Sequence, residues 1–455
     1  MPFVHRPCVL VSLFNFLLCF LLLPSRMPAQ NFPDIQPSPQ QVAWQDMEIG
    51  VIFHFGTNTF LDREWGDGAA EPSVFNPSDV NAEQWIQAVK AAGAKYVIVV
   101  AKHHDGFCLW PSELTKYSVK SSPWRGGHGD LLREVAEAAR KNGLKFGVYL
   151  SPWDRHDPRY AQPAAYDKYY LGQLDELSSG YGELVEFWMD GAGSAGHTYD
   201  FDRIVQQLRM WQPNTMVFAD VALYKYADLR WVGNEEGRVP YENWNVVDRT
   251  GYLRWRPAEA DTPLRKLHWF WHPHDEASLK SLAELVDDYN QTVGRGAQLM
   301  LGIAPDRNGR VPDEDVARLK EFGDAIQELY SHNLVNVKHG QGAAAEALDG
   351  DPDTFWSAPK GSHSAVVEVN FREPVTFDRA LTMEWLNDGQ HVQKYAIEVL
   401  VDGSWKKVAE GQAIGHKKID IFAPVTAQHV RLNLLSTSAE AHIREFQLYR
   451  SAASR

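Results

Sequence analysis

The run LVEFWMDGAG, Leu184 to Gly193, carries an apolar, aromatic stretch onto a carboxylate and then onto glycines. Asp190 is short and stiff there, and Gly191 beside it lets a ligand approach the backbone. Farther along, GNEEG places two more acids, Glu235 and Glu236. Two carboxyl groups on different strands, with histidines and tryptophans between them, are what glycoside hydrolysis requires: one attacks or stabilises the anomeric carbon and the other protonates the leaving oxygen. Asp190 fits the first role. Glu235, longer and on a looser loop, fits an acid/base that serves two proton transfers. Trp188 precedes Asp190 by two, so strand alternation puts both on one inward face.

Other polar residues sit at the ends of apolar runs: His54 in FHFG, Lys102, His103, His104 and Asp105 in AKHHDGF, Tyr149 and Trp153 in YLSPW, and Trp271 and His272 in FWHP. Trp65, Trp188 and Trp271 offer apolar faces to a sugar ring. On a strand, the adjacent His103 and His104 point to opposite faces and cannot both ligate one metal. With no HExxH, no paired CxxC and no compact carboxylate cluster, the chain carries no catalytic-metal signature, and the imidazoles are better used on sugar hydroxyls. Taken singly, each residue has a plainer reading: Asp190 as a helix cap, the tryptophans as core. Their co-location at successive strand ends outweighs it.

Eight short β-branched or aromatic runs position these residues: 50–56, 95–107, 145–153, 185–191, 216–220, 229–237, 267–273 and 297–305. Helical periods fill the gaps at 82–93, 128–143, 166–179 and 278–294, and a further one spans 314–333. Continuous apolar strands alternating with amphipathic helices imply a parallel sheet buried on both faces. Without a glycine-rich phosphate fingerprint after the first strand, the pattern predicts a closed (β/α)8 barrel, whose chemistry sits at the C-terminal strand ends. From about Asn336 the pattern changes to short alternating runs with turn signals, which predicts an antiparallel β-sandwich. The expected division is a leader over 1–29, a barrel over 30–334 and a sandwich over 335–455.

Composition narrows the partners. The net charge of −14 comes with no Lys/Arg-rich stripe, so nucleic acid is excluded as a partner. The first 29 residues pair His5 and Arg6 with an apolar core from Val9 to Leu23 and a small-residue end near Ala29, the pattern of a cleaved secretory leader. The mature chain is therefore expected to be exported, periplasmic or extracellular, and free of the membrane. Cys8 and Cys19 fall in the leader, leaving only Cys108. It cannot form an internal disulfide and reads as a buried small residue.

These same residues resemble the α-L-fucosidases of glycoside hydrolase family 29, through HFG (54–56), EWG (64–66), AKHHDGF (101–107), WMDG (188–191), GNE (233–235) and IAPDRNG (303–309). The resemblance covers the barrel from about Val42 to Tyr330. It implies an exo-acting, retaining hydrolysis of fucosylated glycans, with Asp190 as nucleophile and no cofactor. It implies substrate-binding roles for His54, Glu64, Trp65, His103, His104, Tyr149 and Trp188. GNEEG places the chain with the subfamily acting on α-1,3 and α-1,4 branches, and Glu235 aligns better than Glu236 as acid/base. Two other readings stay open: another retaining barrel glycosidase acting on α-L-galactosides or β-galactosides, and a non-catalytic carbohydrate-binding protein. The C-terminal stretch ALDGDPDTFWSA (347–358) resembles discoidin-like or family 32 carbohydrate-binding modules. Such modules hold a structural calcium in an Asp/Gly loop, which makes Asp349, Asp351 and Asp353 candidate ligands; the alternative is a solvated turn. The sandwich itself reads as a buttress or as a sugar-binding module.

Overall fold

The computed structural model describes residues 32–219, 225–247, 253–339 and 342–451. The expected leader, residues 1–29, with Cys8 and Cys19, lies outside the described residues. Among the described residues no helix is long and apolar enough to cross a membrane.

Eight parallel strands wind around one axis: β1 (Ile49–Phe53), β2 (Tyr96–Lys102), β3 (Lys145–Leu150), β4 (Glu186–Met189), β5 (Met216–Ala219), β6 (Arg230–Trp231), β9 (Ala258–Pro263) and β10 (Gln298–Ile303). A two-stranded antiparallel ladder, β7 (Val246–Val247) and β8 (Arg254–Trp255), lies between β6 and β9. The order β5-β4-β3-β2-β1-β10-β9-β6 brings β5 round to β6, where the Asp228 N–H donates to the Val217 carbonyl at 2.9 Å. This is the expected barrel, with one strand in a different place. The aromatic run 267–273 is not a strand; the seventh is AEADTP, 258–263. Its inward residues, Glu259 and Asp261, are acids buried against indole and phenol donors, so the segment lacks the apolar signature that marks the other strands.

Eight α-helices lie among the described residues: α1 (Pro39–Gln45), α2 (Thr57–Leu61), α3 (Ala82–Ala91), α4 (Leu131–Lys141), α5 (Pro163–Gly180), α6 (Phe201–Trp211), α7 (Leu282–Thr292) and α8 (Asp313–Tyr330). Local chemistry sets their starts. Asn81, Asp130 and Asp200 each accept a backbone N–H two or three residues into the helix, and Ser281 with Glu284 forms a reciprocal capping box on α7. The connection from β6 to β9 has no α-helix among its described residues.

The C-terminal part is a sandwich built from one continuous antiparallel sheet. Its strands are β11 (Trp356–Ser357), β12 (Ala365–Glu384), β13 (Val392–Val401), β14 (Ser404–Gly411), β15 (Lys418–Thr437) and β16 (His442–Tyr449). The first half of β12 pairs with the last part of β15, which also pairs with β13; its second half pairs with the start of β15 and with β16. Register shifts between these halves let two long strands serve both layers, which enclose Val367, Tyr395, Leu432 and Phe446. The sandwich meets the barrel at the N-terminal ends of β1 and β10: Arg444 bonds Asp46 at 2.7 Å, His416 and Lys417 pair with Glu48, and the Ile419 N–H donates to the Gly294 carbonyl at 2.8 Å. It therefore lies away from the C-terminal rim where the site forms.

Candidate active site

At the C-terminal rim a cavity of ≈ 130 Å³ is lined by His54, His103, His104, Tyr149, Trp188, Asp190 and Glu235 together with Trp65. Residues from five strand ends thus converge as the barrel geometry requires. Asp190 follows β4 directly. Its Oδ2 accepts the Tyr149 hydroxyl at 3.0 Å and its Oδ1 accepts the Ala192 N–H at 2.8 Å, so the carboxylate is fixed at both oxygens while staying partly open to the cavity. Trp188, on the same inward face, stacks on Phe218 with centroids 3.6 Å apart and donates its indole N–H to Glu186 at 2.7 Å. Gly193 adopts φ +75°, and a Cβ there would run into the Trp153 ring. The glycines after Asp190 therefore seat a rim tryptophan as well as leaving room for a ligand.

Histidines 103 and 104 both face the cavity, against the strand-alternation expectation, because β2 ends at Lys102 and both residues lie in the turn beyond it. Their rings are 4.1 Å apart. Neighbouring motif residues hold that turn: Lys102 is buried on Asp154 and Gln173, and Asp105 accepts the Thr57 hydroxyl. Burial keeps the imidazoles neutral, lowering His54 to about 3 and His104 to about 4, and His103 well below the usual range. The Ser151 hydroxyl donates to the Trp153 carbonyl at 2.8 Å, so the His104 Nδ1, 2.7 Å from Ser151 Oγ, must be the protonated nitrogen. Its Nε2, 3.7 Å from Asp190 Oδ2, then presents a lone pair. The Nδ1 atoms of His54 and His103 are buried with no hydrogen-bond partner among the described residues. Neutral ring nitrogens of this kind can exchange hydrogen bonds with the hydroxyls of a ligand.

Two sequence-predicted residues sit elsewhere. Glu64 accepts the backbone N–H groups of Trp269 and Phe270 at 2.8 and 3.1 Å and pairs with His272 Nε2 at 2.6 Å, so its carboxylate is spent on the loop after β9. That loop turns Trp269 into the cavity, whereas Trp271 packs under the Arg307 guanidinium, 5.6 Å from its ring centre. Six lining residues escaped the sequence reading: Ile52, Ala192, Phe218, Trp231, Asp261 and Trp269. Asp261 accepts the Trp231 indole N–H at 2.7 Å, and burial, reinforced by the charges of Glu235 and Asp190, raises its carboxyl to about 7. Below the cavity, Glu186 accepts the Trp44 and Trp188 indoles, and burial with Glu186 alongside lifts Glu259 well above the carboxylate range. The signal available for Asp261 was the period-two placement of acids in AEADTP. Cys108 is buried and free, as expected.

Among the described residues no group of three or more His, Cys, Asp or Glu side chains is placed to hold a metal ion. Asp349, Asp351 and Asp353 lie on one exposed turn, where Asp349 accepts the Asp351 N–H and the Thr354 hydroxyl and Asp351 accepts the Asp353 N–H.

Comparison with known proteins agrees with this geometry. Residues 69–328 match the family model for α-L-fucosidase, and residues 330–446 match that for the F5/8 type C domain. The chain is 36% identical to α-L-fucosidase 1 of Arabidopsis thaliana over 422 residues, covering 86% of this chain and 82% of the relative. Among solved structures it resembles a Ruminococcus gnavus GH29 fucosidase in complex with fucose (29% identity, 94% of this chain and 97% of that one, TM-score 0.85). It also resembles a glycoside hydrolase 29 family member from an unknown rumen bacterium (35% identity, 92% and 77%, TM-score 0.80).

Proposed function

Because this chain belongs to the α-L-fucosidase family, glycoside hydrolase family 29, and is an α-L-fucosidase, we propose that it removes terminal fucose with retention, through a covalent fucosyl-Asp190 intermediate, and prefers α-1,3 and α-1,4 branches. The observation that carries the reading is that Asp190 and Glu235 face one sugar-sized cavity. In the first half-reaction an Asp190 oxygen bonds to the anomeric carbon as the glycosidic bond breaks, and the Glu235 proton passes to the departing glycan oxygen. In the second, Glu235 takes a proton from water, the water oxygen bonds to the anomeric carbon, and Asp190 leaves as a carboxylate. Tyr149 and the Ala192 N–H aim the carboxylate, and the neutral ring nitrogens of His54, His103 and His104 meet the hydroxyls.

The lining of Ile52, Trp188, Trp231 and Trp269 suits the methyl group that distinguishes fucose from galactose. Such a pocket rejects an added hydroxyl by only about 1 to 3 kcal/mol, so an α-L-galactoside is a slower side substrate. The linkage preference rests on the position of Glu235 in GNEEG. Proton NMR of the first-formed sugar tests the stereochemistry: α-fucose must appear before β-fucose, and β-fucose first overturns retention. The same assay on α-1,3/1,4-fucosylated trisaccharides beside an α-1,2-linked one tests the linkage, and faster release of the α-1,2 residue overturns it.

A further inference from the structure

We propose that the C-terminal sandwich is part of the catalytic apparatus at a distance: it clamps the connection after β6 and thereby positions Glu235 for proton donation. This rests on the reading of Glu235 as the acid/base.

In a barrel of this kind a strand tip is normally steadied by the helix that follows it. Among the described residues of the connection that carries Glu235 there is no such helix. Its own turn is slight, with the Glu236 N–H donating to Asn234 Oδ1 at 3.0 Å and the Asn234 amide donating to the Arg238 carbonyl at 3.3 Å. Beyond it the chain runs down the outside of the barrel and is gripped from both sides. On the barrel side, the Gly237 N–H donates to the Asp261 carbonyl and the Val239 N–H to the Gln291 carbonyl, each at 3.1 Å.

On the sandwich side, the contacts fall on Tyr241, Glu242 and Asn245. The Tyr241 hydroxyl donates to Asp420, 2.5 Å away, and lies 3.0 Å from the Glu410 carbonyl. Asp420 is itself buried and also held by the Tyr395 hydroxyl. Lys418 donates to the Tyr241 carbonyl and lies over its ring. Glu242 Oε2 accepts two backbone N–H groups, those of Gln412 and Ala413, each at 2.9 Å. The Asn245 N–H donates to Gln390 Oε1 at 3.0 Å. A surface loop needs none of this if it only links two strands. Asp420 is buried, so moving Tyr241 away strips it of a donor at a cost, and one Glu242 oxygen binds two amides at once, which fixes the chain's direction there. Glu235 lies six residues before Tyr241, so these contacts limit how far the loop can carry the acid from the leaving oxygen.

A fixed proton donor matters in proportion to how poor the leaving group is, and this separates positioning from simple stability. In the full-length chain, Tyr241→Phe combined with Glu242→Ala is expected to lower kcat/KM about 10- to 100-fold on an unactivated fucosylated trisaccharide. On a dinitrophenyl fucoside, whose phenolate leaves without a proton, kcat/KM should change by less than about threefold. Glu242→Gln keeps an oxygen that accepts both N–H groups and should recover most of the trisaccharide activity, which also covers the case in which the double variant fails to fold. Equal losses on the two substrates, no loss on either, or no difference between Glu242→Gln and Glu242→Ala would overturn the clamp. Glu235→Ala measured alongside keeps the two readings apart. If Glu235→Ala shows the leaving-group selectivity and the clamp variants do not, the clamp alone fails; if Glu235→Ala lacks it, the acid/base assignment fails and the clamp with it.

Discussion

Asp190 and Glu235 face one cavity but are held by different parts of the molecule. Asp190 stands at the tip of a strand buried along its length, with both oxygens bonded by Tyr149 and Ala192 and a stacked Trp188 beside it. Glu235 is exposed, its side chain has no hydrogen bond among the described residues, and its loop is secured by contacts from a separate fold. The difference follows the proposed work. A nucleophile must meet one carbon along one line, which a rigid strand tip provides. An acid/base must serve a leaving oxygen and then a water, so its carboxyl has to stay free while its backbone is restrained.

The strongest way to break this contrast is to remove the fixed partner. Asp190→Ala should lose about 10⁴-fold or more of kcat on an aryl α-L-fucoside, since no neighbouring carboxylate is aimed as it is. Added formate should restore part of the rate by filling the space as an external carboxylate. Wild-type-like turnover in the variant would end the nucleophile assignment and, with it, the meaning attached to the rigid strand.

Next comes the unbonded partner. Glu235→Ala should cost about 10²- to 10⁴-fold on an unactivated trisaccharide, the span general acid catalysis covers, while Glu236→Ala stays within a few-fold. Glu235 lines the cavity and Glu236 does not. If Glu236→Ala proves the crippled variant, the assignment is off by one residue and the contrast must be redrawn around Glu236.

The same contrast explains what the sequence made legible. Apolar strands ending in a lone polar residue, as in WMDG or FHFG, announce both the strand and the tip, so the barrel and most of its lining could be read directly. The sandwich was legible from its alternating runs and turn signals. Three features were not. β9 hides because Glu259 and Asp261 face inward, and only tertiary indole donors make that burial tolerable. Trp269 and Trp271 could not be told apart, because Glu64, distant in sequence, decides which ring enters the cavity. Alternation failed for His103 and His104 because the strand stops one residue earlier. In the first two cases the missing information was a long-range contact, and the clamp on the Glu235 loop is another of the same kind.

The subtlest test uses Asp261, which lies between the two carboxylates and feels both. Burial first, then the charge of Glu235 and, more weakly, that of Asp190, holds its proton up to about 7. In the unfolded chain an aspartate gives up its proton near 3.9. Between those values the folded protein binds a proton that the unfolded chain does not, so stability from this group grows as pH falls from about 7 towards 4, and the cost of the buried anion is complete above 7. Asparagine keeps an oxygen for the Trp231 indole but cannot ionise. Asp261→Asn should therefore be more stable than wild type at pH 8, by on the order of 2 to 4 kcal/mol in urea unfolding, with the gain gone near pH 4. A gain independent of pH would mean that Asp261 is not protonated in the fold. Adding Glu235→Gln to the wild type should shrink that gain more than adding Asp190→Asn does, because Glu235 presses on Asp261 harder; the reverse order would place the Glu235 carboxyl farther from Asp261 than the Asp190 carboxyl.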